Sequence, residues 1–323
     1  MRTIPIIFAI DKNVVIQCGV TITSLLKNAN SDTFYDIFVL FNRENLNKND
    51  RITLREAFLN NTQCQISFID VGNAYKETES ITSGHVTSAT YYRLSIPKLF
   101  PQFEKVIYSD IDIIFQQDLS DLYYHSLQNK ELIAAVLDLA INNEFFFHSD
   151  LPQKIGKSEK DYFNAGFLVM NLKQMREEGI SNSFKELSKI KYDQNDQDVL
   201  NIVCNGRVQF LPSAYNFQLN HFSNYMWGRK QPLIRFDDLF RSATLHYTWK
   251  NKPWNSLECV ASDTWWHYYK LSPFYSDQVY FKHQQKQIES IRNDYHNRTN
   301  KQLFIRILSN IKHKIFKQDV QKD

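Results

Sequence analysis

The chain has 323 residues, 43% of them apolar, with 24 Phe, 17 Tyr and 5 Trp, enough to build a sizeable core in one large domain or two modest ones. Only eight Gly and eight Pro argue against a linker-rich chain, and the four cysteines (Cys18, Cys64, Cys204, Cys259) lie too far apart for a close metal-ligating pair and suit a reducing compartment. Residues 271–323 hold ten Lys/Arg and five Asp/Glu, a net of +5, while the remainder, 28 basic against 30 acidic, comes to −2; the basic tail offers nucleic acid as a partner, but a near-neutral body with no recognised motif weighs against it, and none is expected.

The N-terminal MRTIPIIFAIDKN has too short an apolar run for a signal peptide, and nothing downstream reaches the length of a membrane span, so a cytoplasmic location is expected. Ile4–Ile10 is a continuous apolar run, as a strand buried on both faces of a parallel sheet requires. Val15–Leu26 follows as a helix, and Tyr35–Phe41 is the second strand. NKNDRITLREAFLNN places a capping Asn or Asp before a helical pattern, Gln65–Val71 is the third strand and KVIYSD the fourth. This βαβαβ order predicts a parallel α/β sheet whose ligands bind beyond the carboxyl ends of the strands, where Asp11, Asp110 and Asp112 fall. Glu131–Asp138, Gly166–Leu172 and Arg207–Pro212 are later strand candidates, and after Asp263 the pattern is helical and polar.

Asp110 and Asp112 stand at i and i+2 in VIYSDIDIIF. On an extended backbone they point the same way and can converge on one divalent cation, which takes carboxylate oxygens and leaves positions open for phosphate. Two solvated acids in a turn are the plainer alternative, against which stand the isoleucines that would desolvate an unpaired pair. Far downstream, His246 in TLHYTWKNKPW is either a packed histidine or a ligand, and Lys252 either a surface lysine or a phosphate contact. In NDQDVLN, Asp196, Gln197 and Asp198 open a helix; capping explains one of the three polar residues and leaves the others unexplained.

Together, IIFAIDKN, ATYYRLSIP, VIYSDIDIIF, AAVLD, YFNAGFLVMNL, DQDVLN and LHYTWKNKPW resemble glycosyltransferase family 8, in that family's order over roughly residues 4–256. The likeness is to the bacterial lipooligosaccharide α-galactosyltransferases and lipopolysaccharide α-glucosyltransferases. It implies a GT-A fold, a Rossmann-like nucleotide-binding mixed sheet flanked by helices, over residues 1–270, with a mainly helical basic extension over 271–323. It also implies a UDP-sugar donor, Mn²⁺ (with Mg²⁺ as a substitute), and transfer of galactose or glucose with retention. A non-catalytic nucleotide-sugar or carbohydrate-binding protein on the same fold is the alternative.

By position, the resemblance makes Asp110, Asp112 and His246 the metal ligands. It makes Ala9, Asp11, Asn13, Arg93, Asp110, Asn164 and Lys252 donor-binding residues, with Lys252 at the diphosphate. Asp138, Asn164, Asp196 and Gln197 fall around the transferred sugar, and Gln197, Asp196 and Asp138 are the catalytic candidates. An amide is a poor nucleophile, so the expected role of Gln197 is electrostatic, its carbonyl facing the sugar carbon, with Asp196 or Asp138 as the nucleophile of a covalent route. Two departures stand out. Val14 replaces an aromatic that commonly stacks on uracil, and Trp249 stands where a glycine commonly lies near the phosphates, so that either the loop is displaced or the indole helps to close the site.

Ser213–Lys230 offers amides and aromatics either to acceptor hydroxyls or to packing. In Lys301–Lys317, Phe304, Leu308, Ile311 and Ile315 recur at helical spacing with five Lys/Arg and no acids. That helix either lies on an anionic membrane surface or docks on the body; a lipid-linked oligosaccharide acceptor favours peripheral attachment to the cytoplasmic face of the inner membrane.

Overall fold

The computed structural model describes residues 1–80, 87–128, 130–139, 161–219, 242–256, 259–286, 288–289 and 292–293. Lys301–Lys317 and residues 220–230 lie outside them. The chain divides into two units, Met1–Phe274 and Tyr275–Asp323. Among the described residues no helix is long and apolar enough to cross a membrane.

The apolar run after the N-terminus forms β1 (Arg2–Ala9), central in a seven-stranded sheet. β2 (Thr33–Phe41) and β3 (Cys64–Asp70) extend it in parallel on one side, and β4 (Lys105–Ser109) lies parallel on the other. Beyond β4 the sheet continues through β7 (Phe163–Asn171), β6 (Ile133–Leu137) and β8 (Val208–Phe210), with β7 antiparallel to both its neighbours. The chain thus leaves β1 toward β2 on one side and returns as β4 on the other. That reversal of strand order opens a crevice at the carboxyl ends.

Pleating sends alternate residues of β1 into two cores. Ile4, Ile6 and Phe8 pack with Cys18, Ile22 and Leu25 of helix α1 (Val15–Lys27), while Ile7 packs with Tyr91, Leu94 and Phe100 on the opposite face. Helix α2 (Lys48–Glu56) starts where Asn47 accepts from the Asp50 N–H at 2.9 Å, as its capping pattern requires.

A second, three-stranded sheet joins β5 (Ile113–Ile114), β10 (Leu245–His246) and β9 (Phe217–Gln218). Two-residue strands carry no periodic signal, which is why the sequence reading has no strand at His246. The segment after Asp263 also departs from expectation: Ser262–Leu271 is a helix, but Trp265, Trp266, Tyr268 and Tyr269 are buried. Asn28 donates to Tyr268 Oη at 2.8 Å, and Trp266 Nε1 donates to the Pro253 carbonyl at 3.1 Å, so this helix braces the 247–256 loop.

Candidate active site

β4 ends at Ser109, and the chain turns through Ile111 and Asp112 before β5. The two aspartates therefore converge around a turn at the end of a strand rather than along one extended strand. Asp110 is anchored by its own N–H, which donates to the Gly166 carbonyl at 2.7 Å, and Asp112 by its carbonyl, which accepts from the Tyr247 N–H at 2.9 Å. Pairing of β10 with β5 then sets His246 opposite Ile113, one residue past Asp112. His246 Nε2 lies 3.3 Å from Asp112 Oδ1, and one ligand atom from each of Asp110, Asp112 and His246 falls within 4.8 Å of the others.

That corner fits a hard cation with room for one nitrogen ligand. Asp112 Oδ1 is buried and accepts no hydrogen bond among the described residues, although His246 Nε2 stands 3.3 Å from it. A buried carboxylate oxygen left in that condition is costly unless a positive centre approaches it. The other oxygen is held by Lys252 Nζ, which also donates to the Tyr247 carbonyl at 2.5 Å. Burial pushes Asp112 up, but the opposing charges, Lys252 the largest of them, hold the group below the usual carboxylate range. For Asp110 burial dominates, and its pKa is raised despite Arg93.

Arg93 is itself only 4% exposed. Its guanidinium lies 3.3 Å from Asp110 Oδ1 and 2.6 Å from Asp196 Oδ2, and it donates to the Ala165 carbonyl. Thr90 Oγ1 donates to Asp196 Oδ1 at 2.7 Å. Burial moves Asp196 from its ordinary value of 3.8 up to about 6, with Arg93 and Thr90 opposing. Tyr108, in cation–π contact with Arg93 at 4.7 Å, donates to Asp110 Oδ1 at 2.8 Å.

Asp138, Asn164 and Gln197 form the adjoining cluster. Asn164 Nδ2 and Gln197 Nε2 both donate to Asp138 Oδ2, at 3.0 and 3.1 Å. Gln197 Oε1 accepts from the Ala165 N–H at 2.9 Å, so the carbonyl expected to face a sugar carbon already has a backbone partner. Near the end of β1, Asp11 Oδ1 accepts from the Asn13 N–H at 2.8 Å, which folds the Ala9–Asn13 segment into a tight turn. Trp249 has a left-handed backbone, at φ 69°, a conformation that glycine adopts without strain, and its side chain is mostly exposed.

Three residues with no assigned role are built in at or beside the site. A Cβ on Gly166 would lie inside the van der Waals shell of His246 Cε1, 2.9 Å from Nδ1 and 3.0 Å from Asp110 Oδ2. A glycine inside an apolar strand is the sequence signal for such a close approach. Asn216 is fully buried against His246, and Gln218, also fully buried, bonds the Leu139 N–H and the Leu137 carbonyl. These two amides serve the interior rather than an acceptor's hydroxyls.

The family model described as glycosyl transferase family 8 matches residues 5–258. The chain belongs to glycosyltransferase family 8. A Haemophilus influenzae protein named as a glycosyltransferase is 32% identical over 224 residues, 67% of this chain and 64% of that one, so this chain spans just under two thirds of that relative. The lipopolysaccharide 1,3-galactosyltransferase of Salmonella typhimurium is 27% identical over 293 residues, 85% of this chain and 82% of that one. Among solved structures, the galactosyltransferase LgtC in complex with donor and acceptor sugar analogues superposes with a TM-score of 0.69 at 25% identity, over 86% of this chain and 100% of that one. The fold is GT-A, and the role is that of a glycosyltransferase. Enzymes of this fold typically use a divalent metal, and the Asp110–Asp112–His246 corner is where this family member has the donor set for one.

Proposed function

We propose that this family 8 enzyme transfers galactose or glucose from a UDP-sugar to a lipid-linked oligosaccharide of the lipopolysaccharide type, with retention of configuration, and that it requires Mn²⁺, which Mg²⁺ replaces less well. The observation that carries the reading is the convergence of two carboxylates and one imidazole around a buried oxygen, Asp112 Oδ1, that accepts no hydrogen bond among the described residues. Asp110, Asp112 and His246 would hold the cation, and an imidazole in the set favours manganese over magnesium. When bound, it supplies charge neutralisation for the departing diphosphate.

The chain's own residues do the rest. Lys252, already at Asp112, adds positive charge on the diphosphate side, and Arg93 binds the metal-side Asp110 and the sugar-side Asp196 into one rigid group. Ala9, Asp11 and Asn13 receive the uridine at the end of β1. Asn164 and Gln197 fix Asp138, whose carboxylate orients the sugar hydroxyls. The engagement of both Asp196 oxygens, one by Arg93 and one by Thr90, supports an electrostatic role for that residue over nucleophilic attack. Front-face transfer follows: the incoming hydroxyl gives its proton to the departing phosphate oxygen, while Asp138, held in place by Gln197, and Asp196 stabilise the cationic sugar carbon. The basic 271–323 region would hold the enzyme at the anionic cytoplasmic face of the membrane, beside a lipid-linked acceptor.

The test is UDP release from a panel of UDP-sugars, with and without acceptor, before and after chelation. One hexose donor should be turned over, chelation should abolish turnover, and Mn²⁺ should restore it. Full activity after exhaustive chelation, or no turnover of any UDP-hexose, would overturn the reading.

A further inference from the structure

We infer that Asn216 is a positioning residue that fixes the tautomer of His246 and so aims its Nε2 lone pair at the cation; the inference deepens the metal reading above and rests on it. The argument starts from a donor whose identity is not in question, the backbone N–H of Gly166. It donates to Asn164 at 3.0 Å, so the atom it meets is the carbonyl Oδ1. The amide nitrogen of Asn164 therefore points the other way, and it does reach an acceptor, Asp138 Oδ2, at 3.0 Å.

Asn216 then meets the same Asn164 Oδ1 at 2.9 Å. Two carbonyl oxygens cannot bond each other, so Asn216 presents its Nδ2 there and its Oδ1 to the histidine. That oxygen lies 2.8 Å from His246 Nδ1, and an acceptor at that distance requires Nδ1 to carry the proton. In the neutral imidazole the lone pair is left on Nε2, the nitrogen that faces Asp112.

Asn164, Asn216 and His246 are all under 8% exposed, so water offers no easy substitute for any link. Gly166 thus acts twice: its N–H sets the direction of the relay, and its missing Cβ makes room for the ring that ends it. The other end of the relay is Asp138, in the cluster assigned to the transferred sugar. The metal ligand and the sugar pocket therefore share one hydrogen-bonded chain.

Two substitutions separate tautomer control from plain packing. Asn216→Leu removes the acceptor at similar size. Asn216→Asp keeps an acceptor for Nδ1–H, but confronts Asn164 Oδ1 with a second oxygen, so it is destabilised without releasing the tautomer. The metal-free proteins, ¹⁵N-labelled at histidine, report which ring nitrogen carries the proton by long-range ¹H–¹⁵N spectra. Electron paramagnetic resonance of free Mn²⁺ reports ion affinity on the same samples.

The parent and Asn216→Asp should show Nδ1–H at His246, and Asn216→Leu should shift toward Nε2–H. Mn²⁺ affinity should fall about 10–100-fold in Asn216→Leu, the usual cost of losing an outer-shell partner, and stay within a few-fold of the parent in Asn216→Asp, even where thermal unfolding shows both variants weakened. A parent with Nε2–H, or an Asn216→Leu protein that binds Mn²⁺ like the parent, overturns the inference. A parent that carries Nδ1–H yet binds no Mn²⁺ supports the tautomer assignment and overturns the metal reading beneath it.

Discussion

Gly166→Ala is a one-atom test of how tightly the site is built. The added Cβ would overlap His246 Cε1 and stand 2.9 Å from Nδ1, where comfortable contact is about 3.5–4.0 Å. The ring must therefore retreat by more than about 1 Å. It has little room to do so: Asn216 bonds it at 2.8 Å on one side, Asp112 stands at 3.3 Å on the other, and the residue is 4% exposed. Overpacking of this kind costs about 1–3 kcal/mol of stability. The effect on chemistry should be larger than that figure implies, because a misplacement of about 1 Å in a reacting site costs on the order of 10²-fold in rate. The assay is kcat/KM for the UDP-sugar across a Mn²⁺ titration, beside urea unfolding of the same protein. Gly206→Ala is the control: Gly206 has φ 70° with nothing within 4 Å, so alanine there strains the backbone without touching the site. Gly206→Ala should lose stability and keep activity, while Gly166→Ala should lose about 10²-fold in kcat/KM. A folded Gly166→Ala enzyme with undiminished kcat/KM would refute the packing argument.

Lys252→Met leaves Asp112 without its cation, and should cost about 2–3 kcal/mol in the metal-free protein, less than a fully buried pair because Lys252 keeps 19% exposure. Mn²⁺ should then raise the melting temperature of this variant by more than that of the parent, as measured by calorimetry; an equal rise would show that the two cations do not share Asp112. Asp196 has its folded pKa raised to about 6 from 3.8, so the folded state holds the extra proton between those values, and this group's contribution to stability is lost as pH rises from about 4 to about 6. Asp196→Asn should remove that loss: denaturation of parent and variant across the window should show the difference moving in the variant's favour with rising pH, and a pH-independent difference would count against the shift.

The parallel half of the fold was legible because its strands announce themselves. Where β1, β2 and β4 are buried on both faces (Ile4–Phe8, Ile37–Phe41, Val106–Tyr108) their residues are apolar throughout, and each observed boundary lies within two residues of its strand as read from the sequence. β5, β9 and β10 were not legible, since two residues have no period and their pairing is set by partners up to about 130 positions away. The aromatic helix at Ser262–Leu271 was expected to be polar because Tyr, Trp and His can each face water or a core, and only the neighbours decide.

The same distinction separates what could be read of the site from what could not. Asp110 and Asp112 stood out on their own because carboxylates beside apolar runs need a partner, and a partner is a chemical expectation; His246 and Lys252 stood out only through the family resemblance. Gly166 and Asn216 make no such demand. Glycine contributes an absence of atoms, and its value exists only once His246, 80 positions later, arrives beside it. Asn216 is ambiguous in a deeper way, since its two ends differ by one proton-bearing atom and the same side chain could impose either tautomer. What resolves it is a backbone N–H in another strand, acting through Asn164. A residue's type thus states which chemistry it can do, but the direction of its hydrogen bonds is a property of the assembled fold. For this site that direction decides whether His246 offers the cation a lone pair or a proton.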